Sequence, residues 1–347
     1  MKRKELWKIL LPVTAVILAG LAVLLFEMKK PDQDDTIKIG VTVYKNDTFV
    51  SNMMTSLKHI VGEYEQETGV RINLNIMDAQ GSQATQNDQV SRFISLGYNV
   101  LCVNPVDRTD AARMINQAMN ANIPVVFFNR EPVQSDLKKW DKLYYVGADA
   151  QESAKMQASI VIDAYQKTPE KIDKNGDGVV QYIMIEGESR HQDTVIRTEV
   201  SVQTLKESGM KLEKLDGGIA NWDRNQASAL ADQYFSLYGD QIELIICNND
   251  DMALGVCDAV ERLGRSFSNI VGIDATPQGI EAVDAGKMLG TVSIGYDSQA
   301  QAIFEIAWAL ANGEDVTRKY PVREDQSVRV PQYIYTAKEN GSALVQK

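Results

Sequence analysis

The loop that begins at Asp173 has the residue types and the spacing of the first half of a calcium-binding loop. Asp173, Asn175 and Asp177 place oxygen-bearing side chains at alternate positions, and Gly178 allows the sharp turn that points them inward. In an EF-hand the twelfth loop residue is a bidentate glutamate, whereas here this position is Met184. The local sequence therefore leaves two interpretations, an ordinary Asp/Asn/Gly turn or a cation site that a distant residue completes.

Polar side chains suited to binding hydroxyl groups follow five apolar runs of the chain. Carboxylate, amide and guanidinium groups are planar and can bond two neighbouring hydroxyls at once, as recognition of a polyol requires. An aromatic side chain such as Phe49 or Trp222 would cover the apolar face of a sugar ring. The polar residues are Asp47, Asn129, His191, Asp193, Arg197, Asn248, Asn249, Asp250 and Asp274. Any one of them could simply cap a helix or fill a turn, but together they indicate a polyol site.

Groups typical of catalysis are few in this sequence. The chain has two histidines, and His59 lies inside a helical pattern. Nucleophile-elbow, Walker and dinucleotide-binding motifs are absent from the sequence. Asp47, Asp193 and Asp274 could supply the carboxylate pair of a glycosidase, but that chemistry needs a raised pKa that sequence does not reveal. We therefore expect a binding protein rather than an enzyme.

The composition is that of a folded protein with more than one domain. The chain has 347 residues, of which 44% are hydrophobic and 24% charged. Its net charge of −11 argues against nucleic acid as a partner and favours an uncharged or cationic ligand. Cys102, Cys247 and Cys257 lack paired spacing, so neither a disulfide framework nor a zinc site is indicated.

Residues 1–35 differ from the rest of the chain. Four basic residues among the first eight precede an apolar run at 9–26, and a polar stretch follows. This pattern is typical of an export signal or of a single membrane-spanning helix with its basic end in the cytoplasm. We expect an uncleaved anchor at residues 9–26, with everything after residue 31 outside the cytoplasm; a cleaved signal is the alternative.

Strand-like and helical patterns alternate after residue 35. Strands are predicted at 36–44, 70–76, 100–103, 124–128, 142–146, 180–185, 211–215, 243–247, 269–273 and 290–294. Helices are predicted at 49–68, 82–97, 111–121, 151–166, 193–208, 222–237, 250–263 and 296–312. Apolar strands separated by helices indicate parallel sheets covered on both faces, and ten strands predict two α/β lobes. Ligands of such sheets bind beyond the carboxyl ends of the strands, where the polar residues lie.

These residues, in this order, resemble the bacterial periplasmic galactose/glucose-binding protein family over almost all of residues 36–347. The matching runs are IGVTVYK at 39–45, VVFFNREP at 125–132, YYVG at 144–147, the loop at 173–181, HQD at 191–193 with Arg197, NND at 248–250 and GID at 272–274. The resemblance implies two Rossmann-like lobes with parallel sheets, joined by three hinge crossings and closing over one sugar. It implies a first lobe of residues 36–148 plus 293–328 and a second of 149–292 plus 329–347.

The resemblance also implies roles for individual residues. The sugar would be hydrogen-bonded by Asp47, Asn129, His191, Asp193, Arg197, Asn249 and Asp274, and its ring would lie between Phe49 and Trp222. A structural calcium ion would be held by Asp173, Asn175, Asp177 and Gln181, by the carbonyl of Val179, and by Glu243. Glu243 would thus supply the carboxylate that the local loop lacks.

The family resemblance predicts an extracytoplasmic protein that captures a monosaccharide for an ABC sugar permease. A sensing subunit of a membrane receptor is the alternative. A sugar-responsive transcription regulator would need a helix-turn-helix ahead of the lobes, where this chain has an apolar segment. Two departures bear on the ligand: Ile294 stands where the family has a sugar-contacting asparagine, and the first binding loop, residues 44–49, is one residue shorter and carries Thr48.

Overall fold

The structure is a computed structural model that describes residues 36–339 and 342–346. The predicted N-terminal helix at 9–26 lies outside the described residues. Among the helices that are described, none is both long and apolar enough to cross a membrane.

The described residues form two sheets, of which the first is entirely parallel. Its strands are β1 (Ile37–Val43), β2 (Ile72–Asp78), β3 (Val100–Val103), β4 (Val125–Phe128), β5 (Leu143–Gly147) and β11 (Ser327–Arg329). They lie in the order β11-β5-β4-β3-β1-β2. Val126 and Phe127 point to opposite faces of β4 and are both fully buried, as expected for a strand with helices on each side.

The second sheet is mixed. Its strands are β6 (Val180–Glu186), β7 (Leu212–Ile219), β8 (Leu244–Cys247), β9 (Ile270–Val271), β10 (Gly290–Ser293), β12 (Tyr333–Glu339) and β13 (Ser342–Gln346). They lie in the order β13-β12-β10-β9-β8-β6-β7. The strands from β7 to β10 are parallel, whereas β12 and β13 pair antiparallel at the edge. The sequence pattern therefore predicted the parallel strands of this sheet but not the antiparallel pairing at its edge.

Helices cover both faces of each sheet. Those of the first lobe are α1 (Thr48–Thr68), α2 (Gln83–Ser95), α3 (Ala111–Asn120), α4 (Gln134–Leu137) and α11 (Tyr296–Ala311). Those of the second lobe are α5 (Ala150–Lys167), α6 (Pro169–Ile172), α7 (Gln192–Glu207), α8 (Arg224–Tyr238), α9 (Asp250–Arg262) and α10 (Pro277–Asp284). Short 3-10 helices lie at Gly239–Gln241 and Val316–Arg318. In the first lobe α1 packs against α11 and α2 against α3; in the second α5 packs against α7 and α8 against α9.

The chain crosses between the sheets three times, after β5, after β10 and after β11. This topology confirms the predicted fold class of two α/β lobes joined by three crossings. All ten predicted strands are present with shifted ends. The three strands that were not predicted, β11 to β13, follow the last helix of the chain.

Candidate ligand-binding site

One cavity between the lobes gathers all nine residues predicted to bind sugar. They are Asp47, Phe49, Asn129, His191, Asp193, Arg197, Trp222, Asn249 and Asp274. Tyr44, Arg130 and Ile294 complete the lining. The space between these side chains amounts to about 370 Å³ with its mouth included.

Several lining residues are also N-caps of helices. Oδ1 of Asp47 accepts the backbone N–H of Val50 at 2.8 Å, and Oδ1 of Asn249 accepts that of Met252 at 3.1 Å. A helix N-terminus needs such an acceptor because its first N–H groups have no partner inside the helix. Each cap uses one polar atom of the side chain, so the Asn249 amide nitrogen remains for a ligand.

His191 is held as a neutral hydrogen-bond donor. Its Nδ1 accepts the backbone N–H of Asp193 at 3.1 Å, at the start of α7, so the ring hydrogen is carried by Nε2. Burial lowers the pKa of His191 well below its ordinary value, and the nearby guanidinium groups of Arg130 and Arg197 lower it further. The ring is therefore uncharged at neutral pH.

Arg197 joins three groups of the second lobe. Its Nη2 donates to Oδ2 of Asp193 at 2.9 Å, one helical turn earlier on α7, and its Nη1 donates to the carbonyl of Asn248 at 2.9 Å. Nη1 also lies 4.0 Å from Oδ1 of Asp274. Burial raises the pKa of Asp193, while the charge of Arg197 opposes that rise.

Asp274 follows β9 on a strained turn. The φ angles of Asp274 and Ala275 are 128° and 49°, which non-glycine residues rarely adopt. Burial raises the pKa of Asp274 well above its ordinary value, Arg197 opposes the rise, and the nearby Asp250 adds to it. The Asp274 carboxylate is 4% exposed, and no hydrogen bond to it is formed by the residues that the structure describes.

Asp250 supports the Asp274 turn from below the cavity. Its Oδ2 accepts the backbone N–H of Thr276 at 2.8 Å, and its Oδ1 accepts the Thr291 hydroxyl at 2.6 Å. A Cβ atom at the neighbouring Gly272 or Gly279 would overlap this carboxylate. The sequence pattern selected Asp250 as a strand-end residue. Its side chain holds the turn that carries Asp274 and does not line the cavity. Asn248 is another such strand-end residue, since its Oδ1 accepts the N–H of Gly187 at 3.0 Å.

The two aromatic residues come from different lobes. Phe49 lies in the first turn of α1, and Trp222 lies between β7 and α8 with a φ of 63°. The Trp222 ring contacts His191 edge to face, with centroids 5.1 Å apart, and packs so closely on Gly187 that a Cβ there would overlap it. Trp222 Nε1 is buried and finds no hydrogen-bond partner within the described chain.

Arg130 and Tyr44 are lining residues that the strand-end pattern pointed to but that we did not select. The Arg130 guanidinium carbon lies 3.5 Å from the centre of the Tyr44 ring, a cation–π contact. Arg130 Nη2 lies 2.8 Å from Oε2 of Glu188 in the other lobe. The Tyr44 hydroxyl donates to Oδ2 of Asp47. Tyr44 is the first residue after β1 and Arg130 the second after β4, and this position is the signal that could have identified them.

Other polar contacts also join the lobes. Gln192 Nε2 of the second lobe donates to Oε2 of Glu131 in the first at 3.0 Å, and Glu131 also receives the Arg329 guanidinium at 2.8 Å. Together with the Arg130–Glu188 pair, these contacts show that the structure represents a closed arrangement of the lobes.

The loop at 173–181 folds around its own oxygen atoms. Asp173 accepts the N–H groups of Gly176 and Gly178 at 2.8 and 2.9 Å. The side-chain amides of Asn175 and Gln181 and Oδ2 of Asp177 lie 3.1–3.2 Å from one another. These distances are hydrogen bonds donated by the amide nitrogens of Asn175 and Gln181, and they hold the polar side chains of the loop together.

Glu243, just before β8, lies against the same loop. It is 1% exposed, and its Oε1 accepts the N–H groups of Lys174 and Asn175 at 2.7 and 3.0 Å. Its Oε2 accepts the N–H of Gln181 at 3.2 Å. Within the described ranges, no three His, Cys, Asp or Glu side chains surround one point. A cation here would depend on mixed carboxylate, amide and carbonyl oxygens, which are the ligands that calcium accepts.

Residues 39–315 match the periplasmic binding protein domain. The chain belongs to the periplasmic binding protein family. It is 34% identical over 307 residues to the D-galactose/methyl-galactoside binding periplasmic protein MglB of Haemophilus influenzae. This match covers 87% of this chain and 90% of that protein. It is 27% identical to the ribose import binding protein RbsB of Escherichia coli, over 83% of this chain and 88% of the relative.

A solved structure agrees with this assignment. An ABC transporter solute binding protein from Bacillus halodurans with bound myo-inositol has a TM-score of 0.71 and 29% identity, and covers 86% of this chain and 94% of that chain. Periplasmic binding proteins capture solutes outside the cytoplasm and are not enzymes. The predicted family, the extracytoplasmic location and the assignment as a non-enzyme are therefore confirmed.

Proposed function

We propose that the chain captures one monosaccharide between its lobes and presents it to the permease of an ABC sugar transporter. The observation that carries this proposal is a set of buried polar groups that lack protein partners around one cavity. Within the described residues these are Arg197 Nε and Trp222 Nε1. An unpaired buried polar group costs about 1–3 kcal/mol, and a sugar hydroxyl, which both donates and accepts, would satisfy donors and acceptors alike.

The aromatic residues support a ring-shaped ligand. Phe49 and Trp222 enter the cavity from opposite lobes, and each presents an apolar surface among polar groups. A pyranose has hydroxyls around its edge and C–H groups on its faces. Such a ligand matches a cavity with aromatic groups above and below and planar polar groups around the rim.

Closure over the sugar is a shift of population. Each lobe contributes part of the lining, with Asn129 in the first and Asp274 in the second. A sugar contacts both lobes in the closed state but one lobe in an open state. It therefore binds the closed state more tightly, and this difference in affinity stabilises closure. The permease would then recognise the closed form.

We propose a hexose of the galactose or glucose type as ligand. The 34% identity to a galactose-binding relative supports this choice, while other relatives and neighbours are named for ribose or myo-inositol. Ile294 lines the cavity and is 3% exposed. A ring hydroxyl facing it would lose an amide partner, so this position tunes which hexose binds best.

We also propose that the loop at 173–181 and Glu243 hold one structural calcium ion in the second lobe. The oxygen-bearing side chains that the loop gathers, those of Asp173, Asn175, Asp177 and Gln181, support the site, as does the approach of the Glu243 carboxylate. When bound, the ion would neutralise the carboxylates of the loop. It lies at the opposite end of β6 from His191 and therefore acts on stability, not on sugar contacts.

Residues 9–26 are proposed to anchor the protein to the membrane. The basic flank and the uninterrupted apolar run support this proposal. Expression of the full chain followed by carbonate washing tests it, because an anchored protein stays in the membrane pellet. Recovery in the soluble fraction, with the mature chain beginning after residue 26, would show a cleaved signal instead.

A thermal-shift screen tests the sugar proposal. The calcium-loaded protein is heated with galactose, glucose, ribose, xylose, xylitol and myo-inositol. A ligand that binds only the folded state raises its stability by about 4 kcal/mol at a thousand times its Kd, so at least one sugar should raise the melting temperature by several degrees. An unchanged melting temperature with every member of the panel would refute the proposal.

A further inference from the structure

A second cavity lies beside the binding cavity and shares two of its walls. Arg130 and His191 line both. The second cavity amounts to about 650 Å³ with its mouth included, against about 370 Å³ for the first measured in the same way. The two cavities therefore adjoin at Arg130 and His191, between the same two lobes.

The second cavity has the same chemistry as the first. The first lobe contributes an amide, a carboxylate and a guanidinium group, and so does the second lobe. These side chains are Gln83, Asp107, Arg108, Glu188, Arg190 and Gln192. Planar groups of these three kinds bind pairs of hydroxyls. Among the described residues the lining has no Phe, Tyr or Trp side chain, which disfavours an aryl group as occupant.

Ion pairs across the lobes border this cavity. Arg130 Nη2 lies 2.8 Å from Oε2 of Glu188, and Arg190 Nη1 lies 3.7 Å from Oδ2 of Asp107. In each pair the two residues belong to different lobes. The second cavity is therefore complete only in the closed arrangement, as is the first.

Polar groups in the second cavity also lack partners. Arg130 is 6% exposed, and its Nε has no hydrogen-bond partner among residues 36–339. The buried Oε1 of Gln192 is unpartnered over the same part of the chain. Arg108 uses its Nε to donate to the carbonyl of Glu131 at 2.8 Å and forms no ion pair with a described carboxylate. Two residues that line this cavity thus hold a buried acceptor and a buried donor without a partner, and a hydroxyl group can satisfy either.

We infer that the second cavity binds a second sugar unit, so that the ligand is a disaccharide with one ring in each cavity. This inference rests on the proposed function, because the first ring occupies the monosaccharide site. An acidic substituent on a single sugar is the competing occupant. The charges of Asp107 and Glu188 already neutralise two of the three arginines, and the unpartnered Gln192 oxygen needs a donor, which a carboxylate or phosphate lacks.

The test compares sugars of different length on the full calcium-loaded protein. Isothermal titration is carried out with glucose, galactose and galacturonate, and with maltose, cellobiose, lactose, melibiose and gentiobiose. At least one disaccharide should bind about tenfold more tightly than either of its constituent sugars, as one or two added hydrogen bonds provide.

Variants then separate the two cavities. Arg108→Ala removes a group that lines the second cavity alone, so it should weaken the best disaccharide about fivefold and change monosaccharide affinity less than about twofold. Arg113→Ala, an exposed arginine on α3, is the matched control and should change neither. Unchanged monosaccharide affinity shows at the same time that each variant is folded.

Three outcomes would overturn the inference. Monosaccharides could bind while every disaccharide binds more weakly, galacturonate could bind most tightly, or Arg108→Ala could weaken both lengths equally. In each of these cases the proposed monosaccharide site stands. Absence of binding by all the neutral sugars would refute the proposed function itself, so the two failures are distinguishable.

Discussion

Single side chains in this site serve the fold and the cavity at once. Asp47, His191 and Asn249 each accept a backbone N–H at the start of a helix, and each lines the cavity. The sequence left helix capping and ligand binding as alternative roles for such residues. The structure combines them, because a strand end followed by a helix start is where the ligand of an α/β lobe binds. Capping also fixes the orientation of the remaining polar atom.

Replacement of Arg197 by lysine should lower sugar affinity. The guanidinium bonds Asp193 and the Asn248 carbonyl with separate nitrogen atoms and leaves Nε for a ligand, whereas an ammonium group cannot reproduce this planar fork. We expect a loss of about thirtyfold or more, equivalent to about 2 kcal/mol, in a titration with the best sugar of the panel. Arg262→Lys, at a half-exposed ion pair with Asp232, is the matched control. Equal affinity of Arg197→Lys and the parent would contradict this role.

The Asp250 carboxyl should make stability depend on pH. Burial raises its pKa to about 7, whereas an unfolded aspartate titrates near 3.9. Between these values the folded form holds a proton that the unfolded form has lost, so this contribution to stability falls as pH rises from about 4 through 7. His191 acts in the opposite sense below about pH 6.5, because its folded pKa is lowered.

Comparison with Asp250→Asn removes the His191 contribution, which both proteins share. The free energy of unfolding of both proteins is measured with urea at pH 5 and at pH 8. The difference, variant minus parent, should be about 2 kcal/mol larger at pH 8 than at pH 5. A difference between the two proteins that is the same at both pH values would show that this carboxyl does not titrate in that range.

Residue types at strand ends predicted the residues that line the cavity, but not which strand-end residues support the cavity from behind. All nine selected residues line one cavity because β–α connections place their first residues at the carboxyl edge of the sheet. Asp250 satisfies the same rule, yet its side chain points to Thr276 and Thr291. Which way a side chain turns depends on packing between distant segments, and no local pattern encodes it.

At the scale of elements, the loop at 173–181 and the start of β8 should form one calcium-dependent unit. Glu243→Gln keeps the size of the buried side chain and removes its charge. The melting temperature of the parent should rise by several degrees with calcium and fall with chelator, while the variant should lose most of this dependence. Glu213→Gln, an exposed neighbour 3.4 Å from Gln181 Nε2, should behave as the parent. A variant as calcium-dependent as the parent would remove Glu243 from the site.

The elements themselves were predictable where the pattern was local. Apolar runs such as Val125–Phe128 and Leu244–Cys247 predicted buried central strands, and both are fully buried. The strands after α11 were not predicted. Ser327–Arg329 has only three residues and exists because it pairs with β5, more than 170 positions earlier in the chain. Its strand conformation therefore depends on tertiary contacts.

At the scale of the whole molecule, ligand binding depends on two lobes that each hold an incomplete site. The first supplies Asp47, Phe49 and Asn129, and the second supplies most of the charged groups, including Asp274. Contacts such as Arg130–Glu188 stabilise the closed arrangement, but the Glu188 side chain is 30% exposed. Partly exposed ion pairs of this kind contribute about 1 kcal/mol or less, so the sugar must provide the larger share of the closing free energy.

Calorimetric titration of the best sugar into the parent and two single-lobe variants tests this account most directly. Asn129→Ala removes a first-lobe contact and Asp274→Ala a second-lobe contact, and each leaves the other lobe unchanged. The account predicts one site per chain in the parent and a loss of about thirtyfold or more in affinity in both variants. Full affinity in either variant, or no heat from any sugar with the parent, would contradict capture of a sugar between the two lobes.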